Sequence, residues 1–207
     1  LRGNPGGLLT AAISISDRFL PEGTIVSTKG RNPGDNSKEV ANYGQTWKVP
    51  MVVLIDRNSA SASEILSAAI QDYKRGWIVG TPSYGKGTVQ SFIDLDQLVP
   101  EHMASLRPAG SVKVTQQKFY RINGGSTQLK GVTPDVLLPD LYEYIDLGEK
   151  EMFNPLSWDQ IKAVKYKVFK NDGLTEIRNK SAKRVQAQEG FEQLKKQALR
   201  VKSKKEN

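Results

Sequence analysis

The residues best suited to nucleophilic chemistry are a serine within a run of small residues and a lysine between two glycines. Ser61 is the middle one of three serines in residues 58–64, and Lys86 stands between Gly85 and Gly87, 25 positions later. A serine hydroxyl is a weak nucleophile until a base takes its proton, and lysine can be that base where burial disfavours its ammonium form. Ser61 and Lys86 are therefore a candidate nucleophile and general base.

Other catalytic groups are scarce in this sequence. His102 is the only histidine, and it lies between Pro100 and Pro108 in a predicted loop. That position disfavours a Ser-His-Asp triad, and a single histidine excludes zinc sites of the HExxH type. The chain has no cysteine, which excludes disulfides, thiolate metal sites and cysteine nucleophiles. We expect neither a metal nor an organic cofactor.

Both candidate residues also have a purely structural interpretation. Ser61 and Glu64 match the Ser-x-x-Glu pattern of a helix capping box, in which the serine only accepts a backbone amide. Taken alone, this motif favours the cap over the nucleophile. Lys86 could likewise be a solvated loop lysine, which is the usual environment of that residue type.

Residues 80–86 match the phosphate-loop pattern G-x-x-x-x-G-K, which makes nucleotide binding a competing interpretation. That motif requires Ser or Thr directly after the lysine and then a helix. Here Gly87 follows, and residues 88–93 have the pattern of a strand. Both requirements fail, so the sequence disfavours a nucleotide site.

Strand and helix patterns indicate how the candidate residues are positioned. The apolar run 51–55 predicts a strand covered on both faces, and residues 61–73 carry apolar side chains at the spacing of an amphipathic helix. Ser61 then lies at a strand-to-helix junction, where first-turn amides such as that of Ala62 point outward and can stabilise negative charge. Alternation along the strand predicted for residues 88–95 would place Gln90 where it can orient Lys86.

The remaining pattern predicts a mixed α/β domain of residues 1–140, with a basic, mainly helical extension at 141–207. We expect Gly190 to interrupt the helix and fraying from Lys202. The other predicted elements are a loop at 3–7, a helix at 8–19, a short strand at 23–27, an exposed loop at 29–45, and strands at 77–79, 111–122 and 136–138.

The charge distribution argues against nucleic-acid binding. The net charge is +8, but residues 161–207 carry 14 Lys or Arg against 5 Asp or Glu, and the rest of the chain is close to neutral. A basic terminal segment is typically a solvated helix face, and no aromatic signature of an RNA-binding module accompanies it. No apolar run approaches the roughly 18 residues needed to span a bilayer.

Several ordered motifs resemble the C-terminal processing (tail-specific) proteases, a family of serine/lysine endopeptidases. They are LRGNPGG at 1–7, SASASE at 59–64, QDY at 71–73 and YGKGTVQ at 84–90; KFYRINGGSTQ at 118–128, KGVTPD at 130–135 and LSWD at 156–159 resemble its bacterial tail-specific branch. The likeness covers nearly the whole chain. It implies a mixed-sheet protease core of the crotonase/Clp-like β-β-α type, present in part, followed by a helical extension.

The resemblance also assigns roles by position. The family nucleophile corresponds to Ser61 and the general base to Lys86, and Gln90 matches the residue that assists the lysine. The family oxyanion hole, a glycine amide of the Asn-x-Gly-Gly loop and the amide after the nucleophile, corresponds to Gly7 and Ala62. No cofactor is implied. Asp72 also matches a family position, but it lies about 16 Å along the predicted helix from Ser61, so we expect a structural role.

The resemblance implies a protease that recognises apolar C-terminal tails of proteins through a PDZ module and cuts them upstream in its core. Family members carry that module and the first part of the core before the segment seen here, so this chain alone is expected to be a fragment of reduced or absent activity. A periplasmic or cell-envelope location, a lipoprotein adaptor and at most peripheral membrane association are further expectations. The alternative is a non-catalytic peptide-binding or scaffolding module of the same fold.

Overall fold

In the part of the chain that the structure describes, the fold consists of two β-sheets and four α-helices. The computed structural model of this chain describes residues 1–42, 44 and 46–206. The helices are Leu9–Asp17 (α1), Ala62–Asp72 (α2), Leu174–Ala187 (α3) and Glu189–Glu206 (α4). The strands are Gly23–Gly30 (β1), Ser37–Ala41 (β2), Val52–Ile55 (β3), Trp77–Gly80 (β4), Thr88–Asp94 (β5), Ser111–Tyr120 (β6) and Val136–Leu137 (β7).

The two sheets differ in strand direction. One is antiparallel with the order β2-β1-β6-β5, and the other is parallel with the order β3-β4-β7. Helix α2 is the crossover between β3 and β4, as parallel pairing requires. The predicted mixed α/β fold class is confirmed. Strand β5 forms one edge of the antiparallel sheet, a position that matters for the site described below.

Helix α2 is the centre of the molecule. Every residue from position 63 to position 70 is buried. Ile65 and Ala69 pack in one apolar core with α1 and the antiparallel sheet, while Leu66 and Ile70 pack in a second core with the parallel sheet. The prediction of an amphipathic helix is therefore wrong for this stretch, because a helix between two sheets is covered on nearly all sides.

Strand β3 is less covered than its apolar run predicted. Val52 and Leu54 are 56% and 45% exposed, while Ile55 is fully buried. The strand is an edge of the parallel sheet, and α2 packs against only one of its faces. The expectation of burial on both faces is wrong for the described part of the chain.

Residues 29–45 contain a strand where an exposed loop was predicted. Strand β2 pairs with β1 in antiparallel register, and the hydroxyls of Thr28 and Ser37 are hydrogen-bonded at 2.9 Å. The inward-facing positions include Ser37 and Glu39, so polar residues replace the apolar alternation that normally reveals a strand. Tyr43 and Gln45 of the predicted loop lie outside the described residues.

Among its described residues, the extension is α-helical only from Leu174 onward. Residues 141–173 are mainly irregular, and two of their apolar side chains, Val164 and Phe169, pack against the first core cluster. The Phe169 amide donates to the Tyr73 carbonyl oxygen at 2.8 Å. The expectation of a mainly helical segment from residue 141 is therefore wrong for its first half, and the domain boundary at residue 140 stays a prediction.

The two terminal helices also depart from their predicted ends. The break between α3 and α4 falls at Gln188, whose backbone is extended, two residues before Gly190. Helix α4 continues through Glu206 instead of fraying at Lys202. None of the helices in the described chain is both long and apolar enough to cross a membrane.

Candidate active site

Ser61 lies on a sharp turn between β3 and α2. Its backbone angles are φ 54° and ψ −114°, a conformation that costs a residue with a side chain on the order of 1–3 kcal/mol. The Ser61 amide donates to Oε2 of Glu64 at 2.7 Å, and the predicted capping box between Ser61 and Glu64 is formed. The Glu64 amide also donates to the Ser61 carbonyl oxygen at 2.8 Å, so it has an acceptor besides the hydroxyl. A strained strand-to-helix turn is the setting that exposes the nucleophilic serine in α/β-hydrolases.

The N-terminal glycine loop is packed directly against this turn. Gly6 has φ +99°, and a Cβ there would lie 2.7 Å from the Ala60 carbonyl oxygen and 2.9 Å from both the Ala62 nitrogen and the Ser61 Cβ. The Asn4 carbonyl oxygen accepts the Ala60 amide at 3.1 Å. Only glycine fits at position 6, because any side chain would displace the turn that carries Ser61.

Lys86 is tied to the same carboxylate as Ser61. The Lys86 amide donates to Oε2 of Glu64 at 2.9 Å, and that oxygen is the one that accepts the Ser61 amide. The two amide nitrogens therefore lie no farther apart than the sum of those distances, 5.6 Å. One carboxylate oxygen thus holds the backbones of the candidate nucleophile and the candidate base together.

Glu64 is a fully buried carboxyl with four hydrogen-bond donors around it. Its other oxygen, Oε1, accepts the Ser83 hydroxyl at 2.6 Å and the Gly85 amide at 2.7 Å. Burial raises the pKa of Glu64 to about 7, although the donors, led by the Ser83 hydroxyl, act in the opposite direction. The ionised form is the one that can accept all four hydrogen bonds.

The backbone amides of residues 84–87, in the loop before β5, are not free to bind a phosphate group. A phosphate loop binds its ligand through free backbone amides, but here those of Gly85 and Lys86 are bonded to Glu64. The Tyr84 amide donates to the Ser59 carbonyl oxygen and the Gly87 amide to Oε1 of Gln128. A strand follows rather than a helix, so the structure agrees with the sequence in disfavouring a nucleotide site.

All five predicted site residues line one cavity of about 300 Å³, which we call the inner cavity. They are Gly7, Ser61, Ala62, Lys86 and Gln90. Within the described chain, neither the Gly7 amide nor the Ala62 amide has a hydrogen-bond acceptor. The cavity therefore combines a hydroxyl, an amine and two free backbone donors, which is the set of groups that acyl transfer requires.

Gln90 is exposed, as Gly7 is, whereas Ser61, Ala62 and Lys86 are half-buried. Strand β5 begins at Thr88, and the Gln90 side-chain amide donates to Oγ1 of Thr115 on β6 at 3.3 Å. The structure thus brings Gln90 to the wall of the inner cavity beside Lys86. Its assistance to the lysine stays a prediction.

Comparisons with known proteins identify the family of this chain. Residues 1–138 match the sequence profile of peptidase family S41, and residues 142–207 match that of the C-terminal domain of tail-specific protease. The chain belongs to peptidase family S41. It is 43% identical over 172 residues to the tail-specific protease of Haemophilus influenzae and 43% identical over 159 residues to the carboxy-terminal-processing protease of Bartonella bacilliformis.

These S41 relatives are much longer proteins. The matches cover 80% and 73% of this chain but only 24% and 34% of the two relatives. Among solved structures, the photosystem II D1 C-terminal processing protease is similar with a TM-score of 0.56 and 31% identity, over 66% of this chain and 33% of that one. The chain thus spans about a quarter to a third of the proteins it resembles.

Two side chains that the sequence analysis excluded from catalysis do not line the inner cavity. His102 is exposed in a short 3-10 segment between β5 and β6. Asp72, at the end of α2, forms a two-pronged ion pair with Arg121, with distances of 2.6 and 3.0 Å. That pair ties α2 to the antiparallel sheet, as a structural role requires. Among the described residues, no cluster of acidic or histidine side chains could hold a metal ion.

Sequence reasoning missed the residues that hold the site together. Glu64 was interpreted only as a capping partner, although it binds the segments of both candidate catalytic residues. Ser83 donates to Glu64 and accepts the Val132 amide at 2.7 Å, and buried Gln128 binds the Gly87 amide. Their one sequence signal is a polar residue inside an otherwise apolar or glycine-rich run, a signal that many surface positions share.

Proposed function

We propose that this chain carries the catalytic centre of a serine endopeptidase, with Ser61 as nucleophile and Lys86 as general base. The observation that carries the proposal is the strained turn at Ser61, held by a carboxylate that also holds the Lys86 backbone. Strain of this kind persists only where the surrounding structure enforces it, and it concentrates at functional sites. Membership of peptidase family S41 supports the same reaction class.

The mechanism follows from the groups around the inner cavity. Neutral Lys86 takes the proton of the Ser61 hydroxyl as Oγ attacks the carbonyl carbon of a peptide, and the amides of Gly7 and Ala62 stabilise the oxyanion. The intermediate collapses, the leaving amine takes the proton from Lys86, and an acyl-enzyme remains. Water, deprotonated by Lys86, then hydrolyses that ester and restores Ser61. Gln90 assists by orienting the lysine amine.

The substrates we propose are proteins with apolar C-terminal tails. The supporting observation is the similarity to relatives named tail-specific and carboxy-terminal-processing proteases. By the same likeness we propose that a PDZ module outside this chain captures the tail, that a lipoprotein adaptor can deliver substrates, and that the protein acts in the periplasm or cell envelope.

Cleavage of an unfolded protein with an apolar C-terminus tests the assignment. We expect the intact protein to cut this substrate, and Ser61→Ala and Lys86→Ala to lose at least on the order of 10³-fold in rate. Ser14→Ala and Lys38→Ala, at exposed positions on α1 and β2, are matched controls that should retain the activity. Full activity in Lys86→Ala would refute the base. A wild type that binds the tail without cutting it would favour the non-catalytic peptide-binding alternative.

A further inference from the structure

A loop of the C-terminal extension lies beside the candidate active site. We call residues 149–158 the extension loop. Its first end is fixed two residues before the candidate base, where the Glu149 amide donates to the Tyr84 carbonyl oxygen at 2.9 Å. Gly148 packs so closely there that a Cβ would lie 2.5 Å from the same oxygen. The loop therefore starts from a fixed point beside Lys86.

The second end of the extension loop is held by three polar contacts. The Gln128 side-chain amide donates to the Leu156 carbonyl oxygen at 3.1 Å, and the Lys118 ammonium donates to the Ser157 carbonyl oxygen at 2.7 Å. The indole of Trp158 donates to the Ser126 carbonyl oxygen at 2.8 Å. Gln128 is buried and also accepts the Gly87 amide, so one side chain connects the loop to the segment that carries Lys86.

Between these anchors the loop exposes apolar side chains. Phe153 is 95% exposed and Met152 is 56% exposed. A flexible tail often exposes such residues, but here both ends of a short loop are hydrogen-bonded to the core. Exposed apolar side chains held in a fixed place beside a cleft are available to contact a bound ligand.

The cleft below this loop continues the inner cavity. It encloses about 620 Å³ between Met152 and Phe153 on one side and strands β5 and β6 on the other. Lys86, Thr88, Gln90 and Lys113 line both this cleft and the inner cavity. A chain whose carbonyl carbon lies at Ser61 would thus pass directly into the cleft. Strand β5, which starts two residues after Lys86, is a sheet edge with backbone groups available to an extended peptide.

We propose that Met152 and Phe153 form a substrate subsite that accepts an apolar side chain of an extended polypeptide, one or a few residues from the bond that is cut. The proposal rests on the proposed function, because it places the scissile bond at Ser61. It assigns the extension a direct part in substrate selection: one wall of the cleft comes from the core and the opposite wall from residues 149–156. The occupant is apolar because the loop offers a phenyl and a thioether side chain, both without charge.

Cleavage-site profiling of an unfolded protein by mass spectrometry tests the subsite in the intact protein. We expect wild type to favour apolar residues at one position flanking the cut, and Phe153→Ala to lose that preference. For two peptides that differ only by Leu or Ser at that position, Phe153→Ala should lower kcat/KM on the order of tenfold for the Leu peptide and little for the Ser peptide. Leu98→Ala, which truncates an apolar residue that is 68% exposed and does not line the cleft, is the control.

Two outcomes separate this inference from the proposed catalysis. An unchanged profile in Phe153→Ala, or an equal loss on both peptides, overturns the subsite while leaving the protease assignment intact. Binding of the Leu peptide to Ser61→Ala protein, followed by fluorescence anisotropy, gives a readout that needs no turnover. We expect that binding to weaken when Phe153→Ala is added and to persist when Leu98→Ala is added; equal affinities in the two double variants also overturn the subsite.

Discussion

The two walls of the cleft at the candidate active site are built in opposite ways. On the core side, the turn of Ser61 and the segment of Lys86 are held by a fully buried carboxylate, and a glycine without space for a side chain packs against the turn. On the extension side, the loop at 149–158 is hydrogen-bonded only near its ends and exposes Phe153 almost completely between them.

This contrast separates two tasks, the cleavage of a peptide bond and the selection of the bond that is cut. Reacting groups need fixed distances, so the core side places each backbone amide on a specific acceptor. A subsite needs apolar surface that can adapt to different side chains, and a loop anchored at both ends provides it. Changes on the core side should therefore affect folding and turnover together, while changes on the extension side should affect selectivity first.

The most damaging single change we predict on the core side is Gly6→Ala. The added methyl group would overlap the Ala60 carbonyl oxygen and the Ala62 nitrogen, and φ +99° is unfavourable for alanine. We expect a loss of about 3 kcal/mol in the free energy of unfolding, with loss of peptidase activity. Urea denaturation measures the first quantity. Gly34→Ala is the control, since a Cβ there meets no atom within 4 Å; equal stabilities would contradict the packing argument.

The second prediction concerns pH, because the carboxylate on the core side titrates near neutrality. The folded protein holds a proton on Glu64 up to about pH 7, whereas the unfolded chain releases it near pH 4.5, where its pKa is ordinary. Between these values the folded state binds more protons, so this group makes stability fall as pH rises from 4.5 to 7 and contributes no further change above 7.

Glu64→Gln removes that titration. Relative to the variant, wild type should lose about 3 kcal/mol of unfolding free energy between pH 4.5 and pH 8, as measured by urea denaturation at several pH values. Glu143→Gln, at an exposed position, should follow wild type. If Glu64→Gln kept the wild-type pH slope, Glu64 would not carry the raised pKa.

Sequence patterns predicted the elements that combine strong periodicity with clear ends. Strand β3, helix α2 and strand β5 were all expected within a few residues of their observed bounds, and Ser61 was correctly placed at the junction of the first two. These elements follow from local apolar spacing, which the sequence displays directly. The five proposed site residues came from local motifs together with family resemblance, and the fold brings all of them to one cavity.

Contacts between segments far apart in sequence could not be predicted in this way. Strand β2 was missed because its inward residues are polar, and residues 141–173 were expected to be helical although Val164 and Phe169 enter the core. The roles of Glu64 and Gln128 depend on partners 22 and 41 residues away. Such hydrogen bonds have no periodic signature, so only the folded arrangement reveals them.

The third prediction concerns a substitution that weakens the connection between the two walls. Gln128→Ala removes the acceptor of the buried Gly87 amide and the donor to the Leu156 carbonyl oxygen. We expect a loss of about 2 kcal/mol in the free energy of unfolding and a higher KM for peptide substrates, because one end of the extension loop is released. Gln116→Ala, at an exposed position of β6, should change neither quantity. A raised KM without any loss of stability would mean that only the loop contact matters.

The smallest effect should come from the ion pair at the end of α2 opposite Ser61. Asp72→Asn weakens the ion pair with Arg121. The side chain of Asp72 is only 7% exposed and that of Arg121 only 16% exposed, so we expect a loss of about 1–2 kcal/mol of unfolding free energy. Glu101→Gln, which breaks the exposed pair with Arg107, should cost less than about 0.5 kcal/mol. The kcat of folded Asp72→Asn protein should match wild type, because the pair holds α2 at the end opposite Ser61. A reduced kcat at unchanged stability would instead indicate that Asp72 contributes to catalysis, and that the function of the core side depends on the whole length of α2.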